Sequence, residues 1–401
     1  MAQYLIIGNG IAANSAAESI RKTDAQGKII MFSRENYNFY YIPGLPEYLA
    51  GEKELRNMTI HNDQWYLDNN IDLYLDTEVT GVDPSGKTIT TGNDKKFTYD
   101  KLLIATGGYS FVPPIEGTEN EGVFSLRTLD DANRIRKKAV TSRELVLIGG
   151  GLLGLEAGNG LRKSGLKVTV VEFFPRLLPR QMDVSGAAIL QKQMEEMGFT
   201  FYLGAKTGSI TREDGRLSVN LESGENISTD MVLISAGVRP ETTLAKSLGL
   251  EIDRGLKVDD LMRTGIEDIY AAGDLIEHRG RFYGIWTASM EQGRIAGANM
   301  AGKKEQYNGT VLANTLKVVG VDLTAAGDID ADGKLESIIA ESQEKKIYRK
   351  LVIKDNIVEG AILFGDIRGS EEILNAIKTK KDISSVKANI SKENFDFSLI
   401  S

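Results

Sequence analysis

Two stretches of this chain share one hydrophobic pattern: a short unbroken apolar run that enters a glycine cluster, followed by small residues at helical spacing. The runs at 4–7 and 145–148 lead into Gly8-Asn9-Gly10 and Gly149-Gly150-Gly151. Unbroken apolar runs of this length, bounded by glycine, predict buried strands. An alanine-rich helical stretch leaves each cluster, and a second strand pattern follows at 28–32 and at 167–171. Residues 5–22 align on 146–163 without a gap, so that Gly8 meets Gly149, Gly10 meets Gly151, Ala13 meets Gly154 and Ala16 meets Ala157. The chain therefore carries one strand–helix–strand unit twice.

A lone G-x-G-x-x-[GA] match says little, but here each copy sits between a strand and a helix. In that setting the first glycine permits the tight turn. The second lets backbone N–H groups approach a diphosphate, and the third small residue lets the helix pack on the strand. Unpaired N–H groups and the helix dipole then favour the negative charge. The second copy closes its second strand with Glu172, where a carboxylate accepts from an adenosine ribose and repels a 2′-phosphate. That points to NADH over NADPH, although Arg176 and Arg180 follow in the loop. The first copy has Ser33 at this place; Glu35, beyond Arg34, either substitutes for the acid or is solvated.

Two further apolar runs end in turns. Residues 99–105 deliver the chain to Thr106-Gly107-Gly108, and 269–272 lead to Gly273-Asp274, an acid beside glycine suited to a sugar hydroxyl. Beyond about residue 311, β runs at 315–319, 347–353 and 357–364 accompany a helical segment at 370–378.

Composition narrows the chemistry. The 401 residues are 41% hydrophobic with a net charge of −8, which suits two or three packed domains and no nucleic-acid partner. There is no cysteine, so disulfides, thiol relays and protein-ligated iron–sulfur clusters are excluded. The two histidines, His61 and His278, read as surface residues and supply no metal cluster. No stretch approaches the roughly 18 apolar residues of a membrane span. The N-terminal run reads as a buried strand and not as a signal peptide, and the expected location is cytoplasmic.

The ordered set GNGIAA (8–13), TYDKLLIATG (98–107), GGGLLGLE (149–156), ISAGVRP (234–240) and IYAAGD (269–274) resembles the pyridine nucleotide-disulfide oxidoreductase superfamily. SLRTLDDA (125–132), LLPRQMD (177–183), WTASMEQGRIAGANMAG (286–302) and TLKVVGVDLTAAGD (315–328) look most like its rubredoxin reductase and nitrite reductase flavin-domain branch. The resemblance implies an α/β fold: two Rossmann-like domains, for FAD and NAD, and a small C-terminal α+β interface domain. It places Gly8, Gly10, Ala12, Ala13, Ser33, Arg34, Glu35, Pro43, Val79, Ala105, Thr106, Gly107, Gly273 and Asp274 with FAD. Gly149, Gly151, Leu152, Leu153, Gly154, Glu172, Ala236 and Gly237 fall on the NADH side, with the nicotinamide stacked on the flavin. By the same resemblance Trp286 lies near the isoalloxazine ring, unless it is an ordinary core aromatic, and Arg127 reaches the flavin region. Glu156 either orients the nicotinamide carboxamide or is a helix-start acid.

Departures from the family matter as much. Pro43 stands where related peroxidases and oxidases carry a redox cysteine, and Ile42 replaces an arginine in YYIPGLP (40–46). Without a thiol, hydride passes from NADH to FAD and electrons leave the flavin directly, to an iron carrier such as rubredoxin or to the iron–sulfur cluster of a partner subunit. A flavin-bound NADH sensor or scaffold and a direct NADH:oxygen or quinone reductase are the alternatives. The expected domains are FAD-binding at 1–115 and 247–310, NAD(H)-binding at 116–246 and C-terminal at 311–401. Lysine-rich segments in the last either steer an acidic carrier or are solvated. Oligomeric state stays open.

Overall fold

In a computed structural model, which describes residues 1–213, 215–392 and 394–401, the two glycine motifs sit in two separate parallel sheets. The described residues group into two units: Met1–Ile42, Glu54–Ser110 and Val238–Thr310 form the first, Pro43–Lys53, Phe111–Gly237 and Val311–Ser401 the second.

In the first unit the strand Gln3–Ile7 is central, flanked by Lys101–Ile104 and Lys28–Phe32, with Ile269–Ala271 and Ile71–Tyr74 at the edges. All neighbours are parallel. Strands covered on both faces cannot alternate with polar residues, which is why these runs are unbroken; Leu5, Ile6, Ile29, Met31, Leu102 and Leu103 are fully buried. The helix Ile11–Thr23 lies against Trp286–Met300 at backbone distance. A Cβ on Gly293 would stand 2.1 Å from the Ala12 carbonyl oxygen, and one on Gly297 2.3 Å from that of Ala16. Small residues on both helices are thus a packing requirement, and they hold the helix start beside the first glycine loop.

The second unit repeats this plan. Its parallel sheet runs Thr200–Leu203, Lys167–Glu172, Glu144–Ile148, Met231–Ile234, Val123–Ser125. Each unit also has a three-stranded antiparallel sheet between its outer strand and the strand after it: Val79–Asp83, Thr88–Thr91 and Lys96–Thr98 in the first, Thr207–Glu213, Arg216–Leu221 and Asn226–Thr229 in the second. The repeat therefore extends over whole modules, far beyond the stretch where residues align. Outside the glycine loops only burial is constrained, and many apolar residues satisfy it. The short helix Leu45–Leu49 belongs to the second unit, where the Pro46 carbonyl comes within 2.7 Å of a Cβ built on Gly160.

Residues after Val311 build a five-stranded antiparallel sheet in the order Ala313–Val318, Val321–Gly327, Ile357–Phe364, Ile347–Lys354, Glu336–Ser342. The helix Ser370–Thr379 packs on it through Ile373 and Ala376, against Leu351, Val358, Ala361 and Leu363. Two of these strands, Val321–Gly327 and Glu336–Ser342, have no long apolar run to announce them: the latter is an edge with four of its seven residues polar. Within the second unit this sheet is tied to the parallel module by the buried Asp183 carboxylate. It accepts from the Tyr348 hydroxyl at 2.6 Å and lies 3.1 Å from Lys350 Nζ.

Candidate functional site

The first glycine loop begins where strand order forces a turn. Gly8 N–H donates to Phe32 at 2.8 Å, and Gly8 takes φ +127°, a conformation open to glycine. A Cβ there would lie 2.2 Å from the Ala105 carbonyl oxygen. Gly8 is therefore required by the protein itself. Gly10 is different: a Cβ on it would meet nothing within 4 Å, so its lack of a side chain leaves open space before the helix Ile11–Thr23. That helix start has no side-chain cap and no acid in its first turn. Ala13 is fully buried, and Ala12 is buried against Gly273 and Gly293.

The Ala105-Thr106-Gly107 turn lies alongside. Thr106 Oγ1 donates to the Glu241 carbonyl at 2.9 Å, and Gly107 has φ +70°. Gly273, at φ +89°, donates its N–H to Gln292 Oε1 at 3.0 Å, while Asp274 Oδ1 accepts from Ser289 Oγ at 3.1 Å. At the end of the second strand Ser33 is buried and donates to the Glu35 carbonyl. Glu35 accepts from the Tyr40 hydroxyl at 2.8 Å; Arg34 is exposed, 4.0 Å from Glu78. Val79 is buried at the start of its strand, and Trp286 opens its helix stacked on Phe39 at 5.8 Å, with the Tyr41 ring edge-on at 5.1 Å. Pro43 lies in the turn Ile42–Gly44 and groups with the second unit.

The second loop copies the first in detail. Gly149 N–H donates to Val171 at 2.8 Å, its φ is +114°, and a Cβ would lie 2.2 Å from the Ser235 carbonyl oxygen. Gly151, like Gly10, faces open space. The helix Leu152–Lys163 starts there through Leu152 and Leu153, uncapped by any side chain and without an acid in the first turn. Gly154 sits where a Cβ would be 2.9 Å from the Gly149 carbonyl, and Ala236 precedes Gly237, at φ +106°. Glu172 is buried, its two carboxylate oxygens accepting from Gly150 N–H and from Phe174 N–H. Arg176 is committed to the carbonyls of Met182 and Pro179, both at 3.1 Å. Glu156 stands in the second turn of the helix, and its carboxylate accepts from Val319 N–H in the turn between the first two strands of the antiparallel sheet. Burial raises this carboxyl above its ordinary value, against the lowering effect of that N–H. The Arg127 N–H donates to Asp131 Oδ2 at 3.0 Å, just before the helix Leu129–Ala139.

Each loop thus presents an uncapped helix start behind a glycine that leaves room. In the second, Glu172 at the second-strand end is aimed into the loop backbone. This arrangement fits an extended diphosphate at each loop and a ribose hydroxyl at Glu172.

The histidines correct the reading from sequence: both are buried. His61 stacks on Trp65 with ring centroids 3.5 Å apart and contacts Asn14 and Glu18; His278 packs beside Tyr307 and lies 2.9 Å from Asp260. Two residues, too few for a pattern, carry no periodicity that would reveal burial. The sequence reading also missed a polar cluster beneath the first loop, formed by Asn9, Asn14, Tyr66 and His61. Asn9 between two glycines was its one visible sign.

Residues 2–303 match the family model described as pyridine nucleotide-disulphide oxidoreductase, and 313–381 match the rubredoxin NAD+ reductase C-terminal domain. Among curated relatives, a nitrite reductase [NAD(P)H] of Bacillus subtilis is 35% identical over 95% of this chain and 48% of its own length. The NADH-rubredoxin oxidoreductase of Clostridium acetobutylicum is 30% identical over 96% of this chain and 97% of its own. The chain spans about half or less of the nitrite and nitrate reductase relatives it matches. The fold is that of the putidaredoxin reductase in its covalent putidaredoxin complex, at TM-score 0.91 and 22% identity over 100% of this chain and 98% of that one. The match over residues 2–303, which spans both glycine modules and the antiparallel sheet that follows each, places this chain in the pyridine nucleotide-disulphide oxidoreductase family.

Proposed function

We propose that this chain is an FAD-dependent NADH:acceptor oxidoreductase that works in the cytoplasm. FAD would be held by the module of Gly8, Gly10, Ala12, Ala13, Ala105, Thr106, Gly107, Gly273 and Asp274, with Ser33, Arg34, Glu35 and Val79 at its margins. NADH would be held by Gly149, Gly151, Leu152, Leu153, Gly154, Glu172, Ala236 and Gly237. The chemistry supplied by the bound flavin is acceptance of hydride and release of electrons, which no side chain of a cysteine-free protein offers. The chain's own residues bind and orient. The two uncapped helix starts attract the diphosphates, and Glu172 accepts from ribose while disfavouring a 2′-phosphate. Glu156 orients the nicotinamide end, and Trp286 shields the flavin end from water.

The observation that carries this reading is the pair of open spaces at Gly10 and Gly151, each before an uncapped helix. For the acceptor, the matched rubredoxin NAD+ reductase C-terminal domain supports a small iron carrier such as rubredoxin, and the nitrite reductase relatives support an iron–sulfur partner subunit. The domain division at 1–115 with 247–310, 116–246 and 311–401 belongs to the same proposal.

Anaerobic mixing of the FAD-loaded protein with one equivalent of NADH, and separately NADPH, tests it by flavin absorption in a stopped-flow instrument. Bleaching within a second by NADH, much slower by NADPH, is the expected result. Flavin that stays oxidised for minutes would favour a sensor, and brisk oxygen uptake without a carrier would favour direct oxygen reduction.

A further inference from the structure

The cluster beneath the first glycine loop has a geometry that ordinary packing does not require. Asn14, nearly fully buried, donates its side-chain N–H groups to the carbonyls of Asn9 and Gly10 at 3.0 Å each, and to Asn9 Oδ1 at 3.0 Å. These acceptors fix which way its amide points, so the oxygen faces His61. His61 Nδ1 lies 3.1 Å from that oxygen, and His61 Nε2 lies 3.3 Å from the Glu18 carboxylate. Both ring nitrogens therefore face atoms that accept and cannot donate. A neutral imidazole has a single N–H and leaves one of the two contacts as lone pair against lone pair; only the doubly protonated ring satisfies both. The flat face of the ring rests on Trp65, 9° from parallel, which is where a cation gains from an aromatic surface.

We infer that His61 is a positioning residue: as an imidazolium clamped between Glu18 and Asn14, it sets the Asn9–Gly10 backbone for a bound dinucleotide and makes flavin binding depend on pH. This rests on the proposal that FAD occupies the first module. The groups that face the ring are Glu18 and Asn14 from the helix Ile11–Thr23, Trp65 and Tyr66 from Asp63–Asp68, and Phe39. Among them Glu18 and Tyr66 titrate, with Lys22 acting on Glu18 and Asp63 on Tyr66 through space. Glu18 is held below the usual carboxylate range, chiefly by its bond to His61, while burial pushes the Tyr66 hydroxyl up. Loss of one ring proton leaves one of the two contacts lone pair against lone pair; where that contact is at Nδ1, Asn14 Oδ1 keeps only the Tyr66 hydroxyl, at 3.0 Å, and the ring no longer ties Asn14 and the loop it holds.

The test is FAD affinity of the full chain, stripped of flavin and titrated at pH 6 and at pH 8.5. Three forms are compared: wild type, Glu18→Gln and His61→Gln. The Glu18→Gln amide can donate to Nε2, so a neutral ring then satisfies both neighbours. We expect wild-type affinity to fall about tenfold between the two pH values, Glu18→Gln to change less than about twofold, and His61→Gln to bind weakly at both. Nitrogen-15 labelling of the two histidines gives a spectroscopic readout: at pH 6 a ring with both nitrogens protonated should be present in wild type and missing from His61→Gln, which keeps only His278. The same pH slope in wild type and Glu18→Gln, or no slope in wild type, overturns the inference. Absence of FAD uptake by wild type at either pH, with thermal unfolding intact, overturns the flavin reading and this inference with it.

Discussion

At the scale of single residues, the four glycines of the two loops divide by what a side chain would meet. Gly8 and Gly149 face carbonyl oxygens at 2.2 Å with positive φ, whereas Gly10 and Gly151 face open space. Gly149→Ala should therefore lower thermal stability, by about 3 kcal/mol or more. Gly151→Ala should melt close to wild type, yet need about tenfold more NADH for half-maximal flavin reduction, because its methyl group enters the space meant for diphosphate. Equal NADH affinity in Gly151→Ala would remove the main support for the second site. The motif assigned the turn to the first glycine and the approach to diphosphate to the second; the carbonyl oxygen that rules out a side chain at Gly8 and Gly149 exists only in the fold. The same limit hid His61, whose role depends on Asn14 and Glu18 brought to its two nitrogens by the fold.

Elements carry the next layer. The helix pair Ile11–Thr23 and Trp286–Met300 lies far apart in sequence but touches at backbone distance, so Gly293 and Gly297 were readable only as parts of a helical stretch. Gly293→Ala drives a methyl to 2.1 Å from the Ala12 carbonyl oxygen, and the helices must separate. We expect a loss of about 3 kcal/mol in urea denaturation, together with weakened flavin retention since Ala12 belongs to the first loop's helix start. A variant as stable as wild type would mean that the helices part at no cost. Central strands such as Lys28–Phe32 and Ile357–Phe364 were legible to the residue because burial on both faces forbids alternation. Edge strands such as Glu336–Ser342 answer to a single neighbour and admit polar residues, so their sequence says little.

At the scale of the whole molecule, charge networks set the response to pH. In the antiparallel sheet's unit Asp366 pairs with Arg368 and Arg349, and the hydrogen bond from Arg368 leads in holding its carboxyl well below the usual range. A carboxyl lowered in the folded state adds stability that is present above its ordinary value, about 4, and is lost as pH falls through that value toward the lowered one. Thermal melts from pH 7 down to pH 3 should show Tm declining below about pH 4 in wild type and less steeply in Asp366→Asn. Parallel curves would assign the acid sensitivity elsewhere. The grouping of Pro43–Lys53 and of Val311–Ser401 with the second glycine module is likewise a property of the folded whole. No local pattern announces that the buried Asp183 will serve Tyr348 and Lys350.

The sequence by itself determined the repeated strand–helix–strand unit, the glycine loops, the acid at Glu172 and the absence of a thiol, because each depends on residues close together in the chain or on composition alone. Tertiary structure decided which atoms oppose each glycine, where both histidines lie, what Glu156 and Asp183 hold, and how far the repeat extends. Those outcomes depend on atoms brought together from distant positions, and a hydrogen bond or a carbonyl at 2.2 Å exists only once the backbone has put them there.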